Sequence, residues 1–451
     1  MAQTSGAGGP SLIIQDTTHR LEYYIGSATN ARSFLLSVDG FLYEAPVTWY
    51  AKPARWDLSP GYQSYSYPYL TRAIPAACLD CHASGVQPIP GTQNGYAPLP
   101  FPDAGISCER CHGPGDRHAS TGRREDIVNP ARLAPDRRDS VCSQCHLSGD
   151  IRIERAGKHQ HDFTPGDRLY DYSVAFVRNS ASPRMRVTSH VENLAQSACA
   201  RASGDRLWCG SCHDPHSTPA PAEKAAWFRG KCQGCHTTDQ CSRGPDCVAC
   251  HMPTMAVADA DHVVYTDHSI PRRPTPRNSK PPADAPLSSF GTRDDDPRDL
   301  GLAYAIVALR ENSAAYRERA FDLLREANAQ TPDEPQTLAY LAELYKGRSD
   351  DKNARRLYER LVKIDPAQSA AWAALGAYEM EAGRAEEAIR LWCEALRISP
   401  ALVLVRYNLA LALMQTGHRD EARAMLEKTL EFNPSFTAAR KLLDGLTRTN
   451  E

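Results

Sequence analysis

The chain has 451 residues, which is enough for two or three domains and too many for one ordinary core. Its 52 Lys and Arg residues nearly balance its 54 Asp and Glu residues, which excludes the strongly basic proteins that bind nucleic acid or anionic membranes. Apolar runs stay well below the roughly 18 residues of a transmembrane helix, so no membrane-spanning segment is among the predicted elements.

Residues 11–70 alternate aromatic or β-branched residues with polar ones, as in LEYYIG, FLLSVDGFLYEAPVTWYA and YQSYSYPYL. Alternation of this kind is typical of short strands joined by turns. We therefore expect residues 1–70 to form a strand-containing N-terminal segment.

The segment from Cys78 to His251 has almost no periodicity, because Gly, Pro, Asp and His interrupt it throughout. Only brief stretches such as HVENLAQSACARA and EKAAWFRGKCQGC favour helix. Such a segment cannot bury enough side-chain surface to fold by itself. We expect residues 71–270 to form a domain whose core comes from something other than side chains.

Twelve of the fifteen cysteines fall in six copies of the pattern Cys-x-x-Cys-His. Two thiols separated by two residues can reach the two vinyl groups of one porphyrin, and the adjoining imidazole then lies over the iron as proximal ligand. Paired cysteines also build zinc ribbons and redox disulfides, but zinc has no use for a histidine after each of six pairs. The pattern therefore predicts six c-type haems, each bound through its iron and two thioether bonds. The thiols are those of Cys78, Cys81, Cys108, Cys111, Cys142, Cys145, Cys209, Cys212, Cys232, Cys235, Cys247 and Cys250, and the proximal ligands are His82, His112, His146, His213, His236 and His251.

A haem that only transfers electrons usually has a second axial ligand, so the nine histidines outside the motifs are the next candidates. His418 falls in a predicted turn near the C-terminus, where a solvated side chain is expected. We expect distal ligands among the others, namely His118, His190, His216 and His268, followed by His19, His161 and His262, with His159 behind them.

Three cysteines lie outside the motifs. Cys199 and Cys241 could pair as a disulfide in an oxidising compartment or stay as buried thiols. We expect Cys393 to be a small core residue in a C-terminal helix.

Seven prolines in residues 271–298 predict an extended, semi-rigid linker and a domain boundary. Beyond the linker the sequence is helical in its periodicity and rich in Ala, Leu and Glu. A proline then recurs every 34 residues, at Pro332, Pro366, Pro400 and Pro434.

Two helical stretches joined by a short turn fill each period, with Gly383 and Gly417 at equivalent positions and the small residues Ala388 and Ala422 where helices must approach closely. Residues 299–451 resemble the tetratricopeptide repeat, with about four units and a final helix. Such repeats present a concave groove, so fold analogy gives a protein or peptide partner as the expectation. Packing on the haem domain and self-association are the alternative roles.

Several phrases resemble the large multihaem cytochromes with C-terminal tetratricopeptide repeats, in the superfamily of pentahaem nitrite reductase, octahaem hydroxylamine oxidoreductase and its tetrahaem electron carrier. The phrases are YYIGSATNARSFL, WDLSPGY, CERCHGPGDRH, SHVENLAQSAC, CGSCHDPHSTP, CVACHMP and TDHSIPRRP. The resemblance implies that His118 and His216 are distal ligands to neighbouring haems, with a similar role for His190 and His268.

This sequence departs from those relatives in two respects. Relatives carry an earlier haem motif and a histidine at the position of Asn30, and this sequence has neither. Nitrite reductases use a lysine in place of the motif histidine at the catalytic haem, whereas all six motifs here end in His.

The predicted fold class is mainly α: a haem-organised domain of irregular and helical structure follows the strand-containing segment and precedes an all-α repeat solenoid. The first functional hypothesis is an electron carrier with mostly bis-histidine haems at low potential. The second is an oxidoreductase in which one iron keeps an open position and acts on a small nitrogen or sulfur species. The third is a scaffold whose repeats recruit a partner, and it is compatible with the first.

Haem attachment takes place outside the cytoplasm, so the family resemblance implies a periplasmic or extracellular protein. The start MAQTSGAGGP lacks the basic and apolar regions of a secretory signal, so we expect a trimmed or processed chain. Expected partners are redox proteins and a protein or peptide ligand of the repeats, with a homo-oligomer or filament as a further hypothesis and no nucleic acid.

Overall fold

The computed structural model of the chain describes residues 2–4, 10–14, 17–26, 29–62, 70–103, 105–178, 186–236, 246–257, 259–260, 262–273, 282, 284–291 and 296–448. The chain forms two compact units: the first consists of residues 1–105 and 317–451, and the second of residues 106–316. The predicted domain limits at residues 70, 270 and 298 do not coincide with these units and stay predictions.

The described residues are mainly helical, with strands concentrated near the N-terminus as expected. The strands are β1 Ala2–Thr4, β2 Pro10–Ile14, β3 Thr17–Arg20, β4 Tyr23–Ile25, β5 Ala31–Val38, β6 Phe41–Tyr50, β7 Arg55–Leu58, β8 Ile151–Glu154, β9 Ser173–Arg178, β10 Thr254–Ala256, β11 Val264–Thr266 and β12 Leu287–Ser289. The helices before the repeats are α1 Ala76–Leu79, α2 Glu109–His112, α3 Asp116–Thr121, α4 Pro135–His146, α5 His190–Ala195, α6 Ala198–Ser203, α7 Cys209–Cys212, α8 Lys224–Gln233, α9 Cys247–His251 and α10 Pro297–Glu311. The remaining helices are α11 Ala314–Gln330, α12 Pro335–Lys346, α13 Asp351–Ile364, α14 Ser369–Glu381, α15 Ala385–Ile398, α16 Val403–Gln415, α17 Arg419–Phe432 and α18 Thr437–Arg448.

The strands of the first unit form two antiparallel sheets, in the orders β1-β2-β3 and β4-β5-β6-β7. Strand β6 is also hydrogen-bonded to the segment that follows residue 70, because the Glu44 amide donates to the Arg72 carbonyl at 2.9 Å and the Ile74 amide to the Leu42 carbonyl at 3.0 Å. This pairing delivers the chain directly into α1 and the first Cys-x-x-Cys-His motif.

The repeats of the first unit are antiparallel helix pairs, and the predicted small residues lie where the pairs need them. Gly383 and Gly417 end the first helices of two pairs with φ of +74° and +90°, a left-handed backbone that favours glycine. Ala388 and Ala422 are fully buried in the second helices. The exception is Cys393: the prediction that it is a core residue is wrong, since it lies on the exposed face of α15.

Within the first unit, the N-terminal sheets contact the loops that join the repeats. The Tyr43 ring lies 5.6 Å from the Phe432 ring, centroid to centroid, and both belong to one buried cluster. The Leu70 amide donates to the Phe432 carbonyl at 3.3 Å, and the Gln93 amide donates to the Ile398 carbonyl at 3.0 Å. The loop edge of the repeats is therefore covered by this chain's own sheet.

The second unit contains an antiparallel sheet of order β12-β9-β8 with α10 packed against it. Tyr304 of α10 accepts a hydrogen bond from the Leu287 amide at 3.0 Å, and the buried Arg178 forms an ion pair with Glu311 at 2.7 Å. Part of the predicted proline-rich linker is thus a paired strand. This strand, β12, has only three residues in a proline-rich stretch, which is too short an alternation to predict a strand.

Helix is brief in the cysteine-rich part of the second unit, as expected. The stretch HVENLAQSACARA forms α5 and α6, and EKAAWFRGKCQGC contains α8. Sequence reasoning did not predict α4, which carries the polar sequence PDRRDSVCSQCH. The helices α2, α3, α6, α7, α8 and α9 contain no buried residue.

Candidate haem-binding site

The Cys-x-x-Cys-His motifs lie on or beside short helical turns. The motif beginning at Cys108 spans α2, that of Cys142 ends α4, that of Cys209 contains α7, and that of Cys247 forms α9. On a helical turn, residues three apart lie on the same face, so both thiols of a motif point to one side. The described cysteines form no disulfide, and Cys241, one half of the disulfide considered with Cys199, lies outside the described residues.

Two motif histidines each lie opposite a predicted distal ligand. The His112 and His216 rings are 5.8 Å apart between centroids with an interplanar angle of 16°, and the His213 and His268 rings are 6.2 Å apart at 24°. Rings at these separations and angles have the arrangement of offset stacked rings. A separation of about 6 Å is also that of two imidazoles that would bind one metal, because each nitrogen–metal bond is about 2 Å long.

The His190 ring lies between His268 and the histidine of a second motif, His146. Its ring lies 4.9 Å from that of His146 and 4.7 Å from that of His268. Together with His213 these residues form a group that we call the histidine cluster: His146, His190, His213 and His268. Two members belong to Cys-x-x-Cys-His motifs and two were predicted as distal ligands.

Desolvation keeps the imidazoles of the histidine cluster neutral. Burial lowers the pKa of His146, His213 and His268. It also lowers the pKa of His190 to about 3, with smaller contributions from His268 and His146. An imidazole must be neutral to act as a ligand, so these shifts keep the rings in the binding form across the neutral range.

Several histidines have the orienting hydrogen bond that is common in metal ligands. A carbonyl oxygen contacts Nδ1 of His112 at 2.7 Å, of His251 at 3.1 Å, of His118 at 2.8 Å and of His268 at 2.7 Å. Since a carbonyl can only accept, Nδ1 carries the proton and Nε2 keeps its lone pair for a metal.

The other predicted histidines lie in different surroundings. His159 and His161 are exposed and face each other with ring centroids 5.0 Å apart, beside Glu154 and Asp162. His19 lies on β3 in the first unit, where burial lowers its pKa and Glu431 opposes that shift. His82 is an exposed residue beside α1, and partial desolvation of its ring lowers its pKa. His262 has a positive φ of 57°, and His236 follows α8 in the second unit.

In the part of the chain that the structure describes, no three His, Cys, Asp or Glu side chains are arranged to hold a bare metal ion. A c-type haem needs fewer ligands from the protein than a bare metal ion does, because the porphyrin supplies four nitrogen ligands and the chain adds only thiols and imidazoles. The paired rings fit that demand, as do the motif thiols, none of which forms a disulfide among the described residues. Among the described helices, none combines the length and apolarity of a membrane span.

Three comparisons with known proteins give partial matches. Residues 379–446 match the family model of the tetratricopeptide repeat. The multiheme cytochrome MtrA of Shewanella baltica (strain OS185) is 26% identical over 183 residues, which cover 38% of this chain and 54% of MtrA. The chain thus spans about half the length of that relative. The peroxisomal targeting signal receptor of Saccharomyces cerevisiae is 30% identical over 118 residues, or 26% of this chain and 19% of the receptor.

Among solved structures, MamA is 18% identical with a TM-score of 0.29, covering 35% of this chain and 86% of MamA. YrrB, described as a tetratricopeptide-repeat protein with an unusual peptide-binding site, is 16% identical with a TM-score of 0.29, covering 33% and 77%. The family-model match and the helix pairs of the first unit agree that the C-terminal part of the chain contains tetratricopeptide repeats.

Sequence reasoning did not identify which motifs are neighbours. The Cys142 and Cys209 thiols lie within hydrogen-bonding reach, and this contact raises the pKa of Cys142 and lowers that of Cys209. The Cys232 and Cys247 thiols are also neighbours, and burial followed by the nearby Cys247 raises the pKa of Cys232. Motif spacing carries no signal for such contacts, because each pair is separated by loops whose path only the fold determines.

Proposed function

We propose that the chain is an exported multihaem c-type cytochrome that carries six covalently bound haems and passes single electrons along them, in the periplasm or outside the cell. The observation that carries this proposal is the convergence of motif and non-motif imidazoles in near-parallel pairs, His112 with His216 and His213 with His268. The likeness to a multiheme cytochrome over 38% of the chain supports it.

Motif cysteines, motif histidines and distal histidines would each hold a different part of the cofactor. The twelve motif thiols would form the thioether bonds, and the six motif histidines together with the distal histidines would hold the irons. Haem c, when bound, supplies an iron that exchanges one electron at a time. In the histidine cluster His268 would bind the iron held by His213, and imidazole ligands on both sides would keep its potential low.

Burial supports the same proposal. The helices α7, α8 and α9 each carry a motif or part of one and contain no buried residue. Short helices are stabilised mainly by tertiary packing, so helices without a packed face are not stable by themselves. Macrocycles attached to their cysteines provide the apolar surface against which these helices pack.

Intact-mass measurement of the full chain, expressed where haem attachment takes place, tests the proposal. We expect a mass increase of six haems and an optical spectrum of c-type haem. Substitution of Cys209 and Cys212 by alanine is expected to remove one haem, whereas Cys393→Ala, which changes an exposed cysteine outside the motifs, leaves six. A chain exported without covalent haem would contradict the proposal.

We further propose that the tetratricopeptide repeats bind a protein or peptide partner, through a face that the N-terminal sheets leave open. Leu404 and Leu411 lie seven residues apart on α16 and are 67% and 38% exposed. Residues seven apart share one helix face, so these leucines form an apolar stripe on the first helix of a repeat. One relative is a receptor for a targeting signal.

Selection of peptides on the full chain tests this second proposal. Selected peptides are expected to bind the wild type and to lose at least tenfold in affinity when Leu404 and Leu411 are both changed to Glu. Ile364→Glu, at an exposed site on α13, is the matched control and is expected to bind as the wild type does. Equal affinity for all three chains would contradict a binding site on α16.

A further inference from the structure

Tyr265 of β11 is a buried tyrosine that contacts both non-motif members of the histidine cluster. Only 3% of the residue is exposed. The centroid of its ring lies 4.9 Å from that of His190 and 5.8 Å from that of His268. Its hydroxyl donates to the Ser189 carbonyl at 2.9 Å. One side chain therefore packs on two imidazoles and is held by a hydrogen bond at its far end.

These contacts join two segments that are far apart in the sequence. His190 is the first residue of α5, and Ser189 is the residue before it. Tyr265 lies in β11, and His268 lies in the turn that follows this strand. The ring and the hydroxyl of Tyr265 thus connect the start of α5 to the segment that carries His268. The two imidazoles of these segments lie 4.7 Å apart between ring centroids.

The backbone around Tyr265 is itself held by hydrogen bonds. Strand β11 pairs with β10, and Tyr265 lies opposite Met255 in the register. The Asp267 amide donates to the Pro253 carbonyl at 3.0 Å, directly after the strand. The strand pair therefore fixes the segment from Tyr265 to His268 before any side chain of the cluster is considered.

The His268 ring is restrained by two contacts. The Thr266 carbonyl contacts its Nδ1 at 2.7 Å, and the Tyr265 ring packs against it at an interplanar angle of 54°. The Tyr265 ring is also tilted by 49° against His190. Tilted contacts favour particular ring orientations, because the edge and the face of an aromatic ring carry opposite partial charges. In this arrangement His268 lies 6.2 Å from His213 at an angle of 24°.

We propose that Tyr265 is the positioning residue of the histidine cluster, an inference that rests on the proposed function. Its ring fixes the position of His268 relative to His190 and so keeps one defined imidazole opposite His213. Without the ring, both imidazoles gain freedom to rotate, because a space remains on the side where both were packed. The iron held by His213 then lacks a second imidazole in a fraction of the molecules.

The haem-loaded full chain carrying Tyr265→Leu tests the proposal, by electron paramagnetic resonance when oxidised and by carbon monoxide binding when reduced. We expect this variant to bind carbon monoxide at one haem more than the wild type does. Its high-spin signal should return to low-spin when free imidazole is added. Recovery by imidazole reports an open coordination position, which a loss of stability alone does not produce. Tyr265→Met fills a similar volume without a ring and provides the same test if the leucine variant does not fold.

A phenylalanine variant separates the ring from the hydroxyl. Tyr265→Phe keeps the ring and removes the hydroxyl, while the Ser189 carbonyl still accepts from the Asn193 side-chain amide at 2.5 Å. Because the proposal assigns the role to the ring, Tyr265→Phe is expected to have the spectra of the wild type. Spectra like those of Tyr265→Leu would contradict a role of the ring.

A buried tyrosine with different neighbours provides the matched control. Tyr316 is 2% exposed and donates to the Ala285 carbonyl at 2.6 Å, and its ring lies 5.2 Å from that of Tyr304. Tyr316→Leu removes the same groups as Tyr265→Leu and is expected to leave the spin state of every haem unchanged. A high-spin signal in both leucine variants would show that the loss of any buried tyrosine is sufficient, and the proposal would fail.

The inference and the proposed function fail in different ways. A chain without covalent haem would overturn the proposed function. A haem-loaded chain in which Tyr265→Leu and Tyr265→Met both keep the spectra of the wild type would overturn only the role of Tyr265.

Discussion

The repeats and the cysteine-rich region are both built from helices, but they hold those helices in different ways. Helix α15 of the repeats buries Leu391, Trp392 and Ala395 among its apolar residues, and its pair partner α14 packs against it. Helix α8 of the cysteine-rich region buries none of its ten residues. Side chains form the core of the repeats. The cysteine-rich helices have no such core, and under the proposed function the haems attached to their cysteines would supply it.

Withholding haem gives the largest expected difference between the two regions. When the chain is expressed without haem attachment, we expect residues 198–251 to be cleaved by limited proteolysis, because α6, α7, α8 and α9 contain no buried residue. The repeats are expected to keep their helical circular dichroism and a cooperative unfolding transition. Equal protection of both regions in the haem-free chain would contradict the comparison.

A smaller effect is expected from removing one of the proposed distal ligands. His268→Ala takes away the imidazole opposite His213, and we expect one haem to become high-spin and to bind carbon monoxide when reduced. His418→Ala is the matched control, since His418 is exposed and contacts Thr416 at 2.9 Å in a repeat turn. An unchanged spectrum for His268→Ala would remove this residue from the ligand set.

The repeats are sensitive instead to packing volume. An added Cβ at Gly376 on α14 would lie 2.5 Å from the Trp392 ring of α15. Gly376→Ala is therefore expected to cost about 1 to 3 kcal/mol in the free energy of unfolding of the repeats, as overpacked cores do. The measurement is denaturant unfolding followed by circular dichroism.

Gly445 of α18 provides the control for that substitution. An added Cβ there meets nothing within 4 Å, so Gly445→Ala is expected to be neutral or to stabilise by about 0.5 to 1 kcal/mol. Similar losses for both alanine variants would show that helix backbone effects, rather than the contact with Trp392, decide the outcome.

The smallest expected effect concerns pH. The folded chain raises the pKa of Glu44 to about 7, so the folded state binds a proton more tightly than the unfolded state. The free energy of unfolding should therefore fall as pH rises toward 8, by about 1 to 2 kcal/mol from pH 5.5, since one pKa unit is worth about 1.4 kcal/mol. Glu44→Gln should lack this part of the decrease, and an identical pH profile would contradict it.

Much of the repeat region could be predicted from the sequence, because its interactions are local and periodic. The 34-residue spacing of proline and the turns at Gly383 and Gly417 follow from neighbouring helices, and the structure has the turns where they were expected. The exposure of Cys393 was not predicted, since periodicity gives the spacing of a core face but leaves its edges uncertain.

The candidate site was predictable in composition and not in arrangement. The Cys-x-x-Cys-His spacing predicts which residues bind a haem, but it cannot show that His190 and His268 meet His146 and His213. That meeting depends on β10, β11 and long loops, whose contacts are not periodic. The pairing of β6 with residues 72–74, which leads the chain into the first motif, is a long-range contact of the same kind.

Electron paramagnetic resonance of the oxidised chain, with haem quantified against protein and carbon monoxide added after reduction, is the most direct test of a six-haem electron carrier. Imidazole on both sides of each iron predicts low-spin signals for six haems and no binding of carbon monoxide. A high-spin fraction that binds the gas would contradict a pure electron carrier and favour an oxidoreductase with one open iron.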